Sequence, residues 1–191
     1  SILVSLASFT TAWGQASGTQ VTETDSTLTL RNSKVRVEFP KGEAFDISKL
    51  TLNGKELVLS KGYNTVPWTL TYKGPQGENP VLFPSHGEYA GWAKTTKDGH
   101  VAIAFKWNMR LTYQDLVPVV MTVSLPGDSE LAYWDIQAGT PDGWLVSNTQ
   151  FPRITVTRPD KAKLITSAGW GAEYNLSNPQ VYTSSYPSVT G

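Results

Sequence analysis

The sequence predicts an all-β protein with the fold of a large antiparallel β-sandwich. Apolar and polar residues alternate with a period of two along most of the chain, which is typical of half-buried strands. Pairs of turn-forming residues separate these runs, and no segment has the pattern of an amphipathic helix of three turns. A parallel α/β fold is disfavoured because it would need helices between successive strands. At 191 residues, the chain is long enough for one domain with a sizeable core.

The predicted strands follow one another in a regular order. The longest runs from Val101 to Leu111 and places a row of apolar side chains on one face: Val101, Ile103, Phe105, Trp107, Met109 and Leu111. Other strands with the same alternation are expected at residues 27–31, 34–39, 68–73, 117–125, 131–138, 144–151 and 154–157. Trp68 and Trp107 fall on apolar faces and are predicted to be core residues. Trp134 is expected in the core or between the sheets.

Turn signals lie where the predicted strands end. Asn53-Gly54 separates two short apolar runs and predicts a tight hairpin, because both residues tolerate a positive φ. Asp98-Gly99 precedes the longest strand, while Pro126-Gly127-Asp128 and Pro141-Asp142-Gly143 separate later ones. The stretch 74–91 is rich in Gly and Pro and is expected to be a long excursion.

Composition excludes several classes of function. The chain has 16 basic and 16 acidic residues and no basic cluster, which disfavours nucleic acid as a partner. No run reaches the roughly 20 apolar residues of a membrane span. The absence of cysteine excludes disulfides and thiol catalysis. With two isolated histidines, no transition-metal site and no cofactor are expected, although calcium bound by oxygen ligands would leave little trace in a sequence.

The amino-terminal stretch 1–16 has the features of a secretory signal remnant. It carries no charge, and Gly14-Gln15-Ala16 places small residues at the positions that signal peptidase reads. The mature chain would then begin near Ser17 and be secreted. An edge strand or an ordered arm is the alternative interpretation.

The remaining chain divides into a sandwich domain over residues 17–167 and a loop or linker over residues 168–191. The second segment lacks the alternation of the first. If the chain is secreted, Asn175 in Asn175-Leu176-Ser177 is its usable glycosylation sequon.

Several segments resemble parts of galactose-mutarotase-like domains that precede glycosidase barrels. Phe45–Val58, with its Asn-Gly-Lys turn, is similar to the early hairpin of such domains, and Ser147–Ile154 is similar to a late strand. Gly169-Trp170-Gly171, Asn178-Pro179 and Tyr186-Pro187-Ser188 resemble the linker into the barrel. The chain is shorter than such domains usually are.

This resemblance implies a β-supersandwich, usually non-catalytic, at the amino end of a secreted, polysaccharide-degrading glycoside hydrolase. Its partners would be carbohydrate and a catalytic barrel domain in the same or an associated polypeptide. The chain itself would be an incomplete part of that protein. A broad apolar surface is then expected around residues 168–191.

A small sugar epimerase or polysaccharide lyase that uses His86 and Glu88 is an alternative. Mutarotases of the similar fold use a His as acid and a Glu as base. Residues two apart in an extended segment point to the same side, so these two side chains could approach each other. The family's His has a different sequence context, and a solvated or turn-capping histidine is the competing interpretation. His100 is expected on the polar face of its strand.

Carboxylates offer a second route to sugar chemistry. Glycosidases generally need two carboxyl groups on either side of the scissile bond, but spacing pairs none of those available here. The candidates are Glu88, Asp135, Asp142 and Glu173. Asp135 follows Trp134 inside a predicted strand, where it would face a cleft or, more simply, pair with an Arg.

Three tryptophans are candidates for a functional surface. Trp92, Trp144 and Trp170 each follow a glycine, which predicts loop or edge positions. An exposed Trp usually marks contact with a ligand or a partner. Sugar contact and interdomain packing both remain open, and Arg153 could hydrogen-bond a hydroxyl or a neighbouring carboxylate in either case. A stand-alone carbohydrate-binding module is therefore a further alternative.

Overall fold

The computed structural model describes residues 18–41, 46–57, 59, 66–113 and 115–154, and the backbone of residues 163–166 and 172–175. These ranges are built from β-strands and one 3₁₀ turn, η1 (Pro84–His86), without an α-helix. The strands are β1 (Gln20–Glu23), β2 (Thr27–Arg31), β3 (Val35–Pro40), β4 (Lys49–Leu52), β5 (Lys55–Leu57), β6 (Thr69–Lys73), β7 (Val81–Leu82), β8 (Gly87–Lys97), β9 (His100–Arg110), β10 (Leu116–Leu125), β11 (Tyr133–Ala138), β12 (Leu145–Gln150), β13 (Lys163–Thr166) and β14 (Ala172–Asn175).

All pairings between these strands are antiparallel. A five-stranded sheet has the order β1-β2-β3-β4-β5, and a four-stranded sheet has the order β11-β10-β9-β8. A three-stranded sheet has the order β12-β6-β7, and β13 pairs with β14 in a separate hairpin. The predicted fold class, an all-β antiparallel sandwich, is confirmed.

One hydrophobic core joins the three larger sheets. Phe39 of β3 packs on Phe105 of β9 with ring centroids 4.8 Å apart, which brings the five-stranded sheet against the four-stranded sheet. Trp68, next to β6, meets Trp107 of β9 edge-on at 5.5 Å. Both tryptophans are buried, as their place in the alternation predicts. Trp134 packs against this core beside Phe39, with centroids 6.2 Å apart, so its expected position is also confirmed.

The predicted hairpins form because their turn residues adopt positive φ angles. Asn53 and Gly54 have φ of 49° and 75° and connect β4 to β5. Asp98 and Gly99 have φ of 52° and 79° and connect β8 to β9. L-residues with side chains rarely occupy this region, and Asn and Asp tolerate it best after glycine.

The stretch 74–91 is more ordered than the long excursion that its composition predicts. The Gly74 amide donates to the Glu78 carbonyl at 2.9 Å, and the Tyr72 amide donates to the Pro80 carbonyl at 3.0 Å. These bonds close a turn that pairs β7 with β6, and η1 and the start of β8 follow directly. Gly and Pro here build a tight turn rather than a loop.

The amino-terminal stretch 1–16 and the side chains of residues 168–191 lie outside the described residues. So do the apolar surface expected around that tail and most of the strand predicted at residues 154–157. Strand β14 falls within residues 168–191, where the sequence predicts a loop. Within the part of the chain that is described, no helix is long and apolar enough to cross a membrane.

Candidate functional site

His86 and Glu88 lie on either side of the junction between η1 and β8. His86 ends η1, so the segment is not extended there and the expected alternation fails. The His86 ring lies against the Phe83 ring, and its Nδ1 is 3.3 Å from the Val81 carbonyl oxygen. Glu88 is exposed at the start of β8. In the described structure no hydrogen bond or ion pair links the two side chains, and the imidazole serves local packing.

Trp92 lies inside β8, an edge strand of the four-stranded sheet, and is half-buried against the core. The preceding Gly91 has φ of 106° and marks a break in register with β9 rather than the end of a strand. Most of this ring is therefore used for packing. Its position on an edge strand is the one that the sequence predicts, but the ring does not offer a fully exposed surface for a ligand.

Trp144 lies in the turn that leads into β12. Its amide donates to the Pro141 carbonyl at 3.0 Å, and its side chain is half-buried against the core. The ring lies close over Gly74, because a Cβ added there would come within 2.8 Å of the ring carbon Cη2. Trp144 thus closes one end of the three-stranded sheet.

Three further residues that the sequence suggests for contact or glycosylation are Arg153, Trp170 and Asn175. The Arg153 amide donates to the Pro67 carbonyl at 2.8 Å, which fixes the backbone after β12 beside the start of β6. Its side chain is half-buried. Trp170 and the side chain of Asn175 lie outside the described residues.

Asp135 forms an ion pair with Lys97 and not, as expected, with an Arg. The Lys97 Nζ and Asp135 Oδ2 atoms are 3.6 Å apart, and both side chains are about one-third exposed, at 37% and 36%. A long, exposed pair of this kind contributes only about 0–1 kcal/mol to stability. The other carboxylate oxygen, Oδ1, is buried and accepts no hydrogen bond from the described residues. A contribution to the stability of the fold therefore does not explain why a carboxylate lies at this position.

The ion pair spans the outer face of the four-stranded sheet, which is the face turned away from Phe105 and Trp107. Lys97 belongs to β8 and Asp135 to β11, the two edge strands of that sheet. Between them, β9 and β10 place Ala102 and Ser124 opposite each other, with exposures of 0% and 2%. Because these two side chains are small, the long side chains at the edges can lean over them.

The result is a cavity of about 390 Å³ at the end of this face. We call it the trough; it is lined by Lys97, Asp98, His100, Ser124, Tyr133, Trp134 and Asp135. Tyr133 lies opposite Ser124 across the β10–β11 pairing, and half of its surface is exposed. The His100 ring is nearly parallel to the Tyr133 ring, at 8°, with centroids 6.1 Å apart. The trough therefore combines an aromatic wall, formed by the His100 and Tyr133 rings, with an ion pair.

The polar groups of the trough have few partners in the protein. Apart from the contact between Lys97 and Asp135, the side chains of His100, Ser124 and Tyr133 make no hydrogen bond with another described residue. Convergent polar groups around a concave, partly apolar surface are the usual features of a binding site for a small molecule. No three His, Asp or Glu side chains of the described ranges are grouped as a metal ion would need.

Sequence reasoning singled out Asp135 but missed Lys97, Ser124 and Tyr133, and gave His100 no role. Their common signal is a short row of small residues that alternates with the core row, namely Ala102 and Ala104 on β9 and Thr122 and Ser124 on β10. Such a row on the outward face predicts a depression, but its rim can be identified only when the strand order is known.

The fold and the trough define the described chain as an antiparallel β-sandwich domain with a candidate site for a small polar ligand. Comparison with known proteins adds one relative. The chain is 40% identical over 163 residues to a curated protein of Bacteroides thetaiotaomicron named "Putative glycoside hydrolase". The match covers 85% of this chain and 24% of the relative, so the chain spans about a quarter of that protein's length. No family model and no solved structure matches the chain.

Proposed function

We propose that the chain is a non-catalytic, amino-terminal β-sandwich domain of a secreted, polysaccharide-degrading glycoside hydrolase, and that it supports a catalytic domain of the same enzyme. The match to a quarter of a protein named as a glycoside hydrolase carries this proposal. An identity of 40% over 85% of the chain favours the same domain in both proteins. The sandwich fold is compatible with a galactose-mutarotase-like supersandwich, which the sequence motifs suggest.

The local geometry of His86 and Glu88 favours a non-catalytic role. An acid and a base that act on one sugar must both reach its anomeric region. Here the imidazole packs on Phe83 and is directed to a backbone carbonyl, while the carboxylate is on the solvent side of an edge strand. The acid and the base of the enzyme therefore belong to the catalytic domain in this proposal.

The outer face of the three-stranded sheet is the surface proposed to contact the catalytic domain. Val81 of β7 and Leu145 of β12 lie on the two edges of this sheet and are 47% and 50% exposed. Trp144, half-buried at the same end, adds apolar surface beside Leu145. Exposed apolar side chains on one face of a sheet favour contact with a partner. Secretion is proposed from the charge-free amino-terminal stretch.

Activity assays test the non-catalytic role. We expect the 191-residue chain to hydrolyse none of a panel of 4-nitrophenyl glycosides, whereas the polypeptide encoded by the complete gene hydrolyses at least one. In that polypeptide, His86→Ala and Glu88→Gln should leave kcat within about twofold of the unchanged enzyme. Turnover by the chain alone that is lost in His86→Ala would instead favour the epimerase or lyase alternative.

A second experiment tests the contact face. The double substitution Val81→Ser and Leu145→Ser should leave the unfolding of the isolated chain nearly unchanged, because both side chains are half-exposed. In the complete polypeptide it should separate the unfolding transitions of the two domains. Leu116→Ser is the matched control, because Leu116 is 60% exposed but lies at the start of β10 in the four-stranded sheet. If Leu116→Ser and the double substitution change the unfolding transitions of the complete polypeptide equally, this face is not the contact with the catalytic domain.

A further inference from the structure

We propose that the trough on the outer face of the four-stranded sheet is a binding site for a neutral saccharide unit of a glycan. Tyr133 provides the surface on which the sugar ring packs, and Asp135 and Lys97 bind its hydroxyl groups. The choice of a glycan rests on the proposed function, whereas the location rests on the geometry of the trough alone.

The ion pair offers both kinds of hydrogen-bonding group that a sugar needs. A hydroxyl group donates one hydrogen bond and accepts others, so adjacent hydroxyls can bind a carboxylate and an ammonium group together. The Asp135 carboxylate accepts no side-chain hydrogen bond from the described residues, and its ion pair with Lys97 is long, at 3.6 Å. Both side chains are about one-third exposed, so Oδ2 and the ammonium group can be reached from the trough. A sugar hydroxyl beside them can donate to Oδ2 and accept from Nζ, each at a shorter distance than the 3.6 Å that now separates the two.

The aromatic wall favours a saccharide over other hydroxyl-bearing ligands. One face of a pyranose ring carries C–H groups, which pack on the electron-rich face of an aromatic ring. Tyr133 is half-exposed, its ring is parallel to that of His100, and it lies opposite Ser124, which in turn lies opposite Ala102. Trp92 and Trp144 offer less free ring surface, because both are packed against the core.

The charges around the trough favour a neutral ligand over an anionic one. An anionic sugar would lie near the carboxylates of Asp98 and Asp135, which outnumber the single ammonium group of Lys97. Like charges at short distance oppose binding in a partly desolvated site. The volume of about 390 Å³ is near the lower end of the range for ligand pockets, about 300–1,000 Å³, and suits a short segment of glycan.

Affinity gel electrophoresis of the full 191-residue chain tests this site directly. The probes are soluble starch, xyloglucan and galactomannan as neutral polysaccharides, and polygalacturonate as an anionic one. We expect at least one neutral polysaccharide to retard the chain and polygalacturonate not to do so. Tyr133→Ala and Asp135→Asn should each raise the Kd about tenfold or more, since each removes a principal contact. Tyr133→Phe, which keeps the ring, should change the Kd less than threefold.

Tyr113→Ala is the matched control. Tyr113 is 94% exposed and follows the far end of β9, roughly 30 Å from the trough along the strand. Its loss should leave the Kd unchanged. The proposal is overturned if no neutral polysaccharide binds, if polygalacturonate binds equally well, or if Tyr133→Ala and Tyr113→Ala have equal effects. None of these readouts needs a catalytic domain, so the assays on the complete polypeptide test the proposed function separately.

Discussion

Phe39 is the best position at which to test whether the two larger sheets pack face to face. It is fully buried, and its ring contacts Phe105 at 4.8 Å and Trp134 at 6.2 Å, both on the opposite sheet. Phe39→Ala removes this bridge and leaves a cavity, which typically costs about 3–5 kcal/mol. Phe39→Leu keeps most of the volume and loses mainly the ring contacts, so it should cost about 1–2 kcal/mol.

Urea unfolding followed by tryptophan fluorescence measures both changes. With a slope of about 2 kcal/mol per M, the midpoint should fall by about 2 M for Phe39→Ala and by about 0.5–1 M for Phe39→Leu. Tyr113→Ala, at an exposed side chain, should stay within about 0.5 kcal/mol of the unchanged chain. A cost below about 1 kcal/mol for Phe39→Ala would refute the packing of the five-stranded sheet on the four-stranded sheet.

Three further predictions concern local features of the fold. The Tyr72 hydroxyl donates to the Gly139 carbonyl at 2.8 Å, so Tyr72→Phe should lower the free energy of unfolding by about 1–2 kcal/mol in the same assay. Gly99→Ala should cost about 1–2 kcal/mol because φ is 79° there. Gly127→Ala should cost less than half of that, because Gly127 has no positive φ and the added Cβ would meet no atom nearer than 3.9 Å. Burial raises the pKa of Tyr89 from 10.0 to about 12, so the unfolded chain loses this proton first. Stability should therefore be constant up to about pH 10 and fall towards pH 12, less steeply in Tyr89→Phe; equal slopes would contradict this assignment.

The alternation of apolar and polar residues predicted the fold because it follows directly which side chains are buried. Every second side chain from Ile103 to Met109 is buried, with an exposure of 0–1%, and the row that faces it on β10 is buried at 0–2%. The Asn53-Gly54 and Asp98-Gly99 turns were equally predictable, since positive φ angles select these residue types. The turn at residues 74–80, which folds back on β6, was not predictable, because it depends on hydrogen bonds with β6 that no local sequence pattern indicates.

The trough could not be predicted from local patterns because its parts come from separate strands. Lys97 and Asp135 meet only because β8 and β11 are the two edges of one sheet whose middle strands carry small outward side chains. Strand order is a long-range property. The position of Asp135 inside a predicted strand marked that residue, but nothing in the sequence indicated Lys97 as its partner. The Gly-Trp pairs gave a clearer local signal, yet Trp92 and Trp144 proved to be half-buried, because glycine allows a bulge or a close approach as well as an exposed loop.

The two faces of β9 and β10 explain how a sandwich domain can acquire a site without losing its core. The inward row is large and apolar, and it makes the contacts with Phe39 and Trp68 that hold the sheets together. The outward row includes Ala102 and Ser124, which contribute little to those contacts but set the depth of the trough. Since adjacent residues of a strand point to opposite faces, the outward row can change while the inward row is kept. Substitutions at Tyr133 or Asp135 should therefore alter binding with little effect on folding, which separates a site from a packing feature.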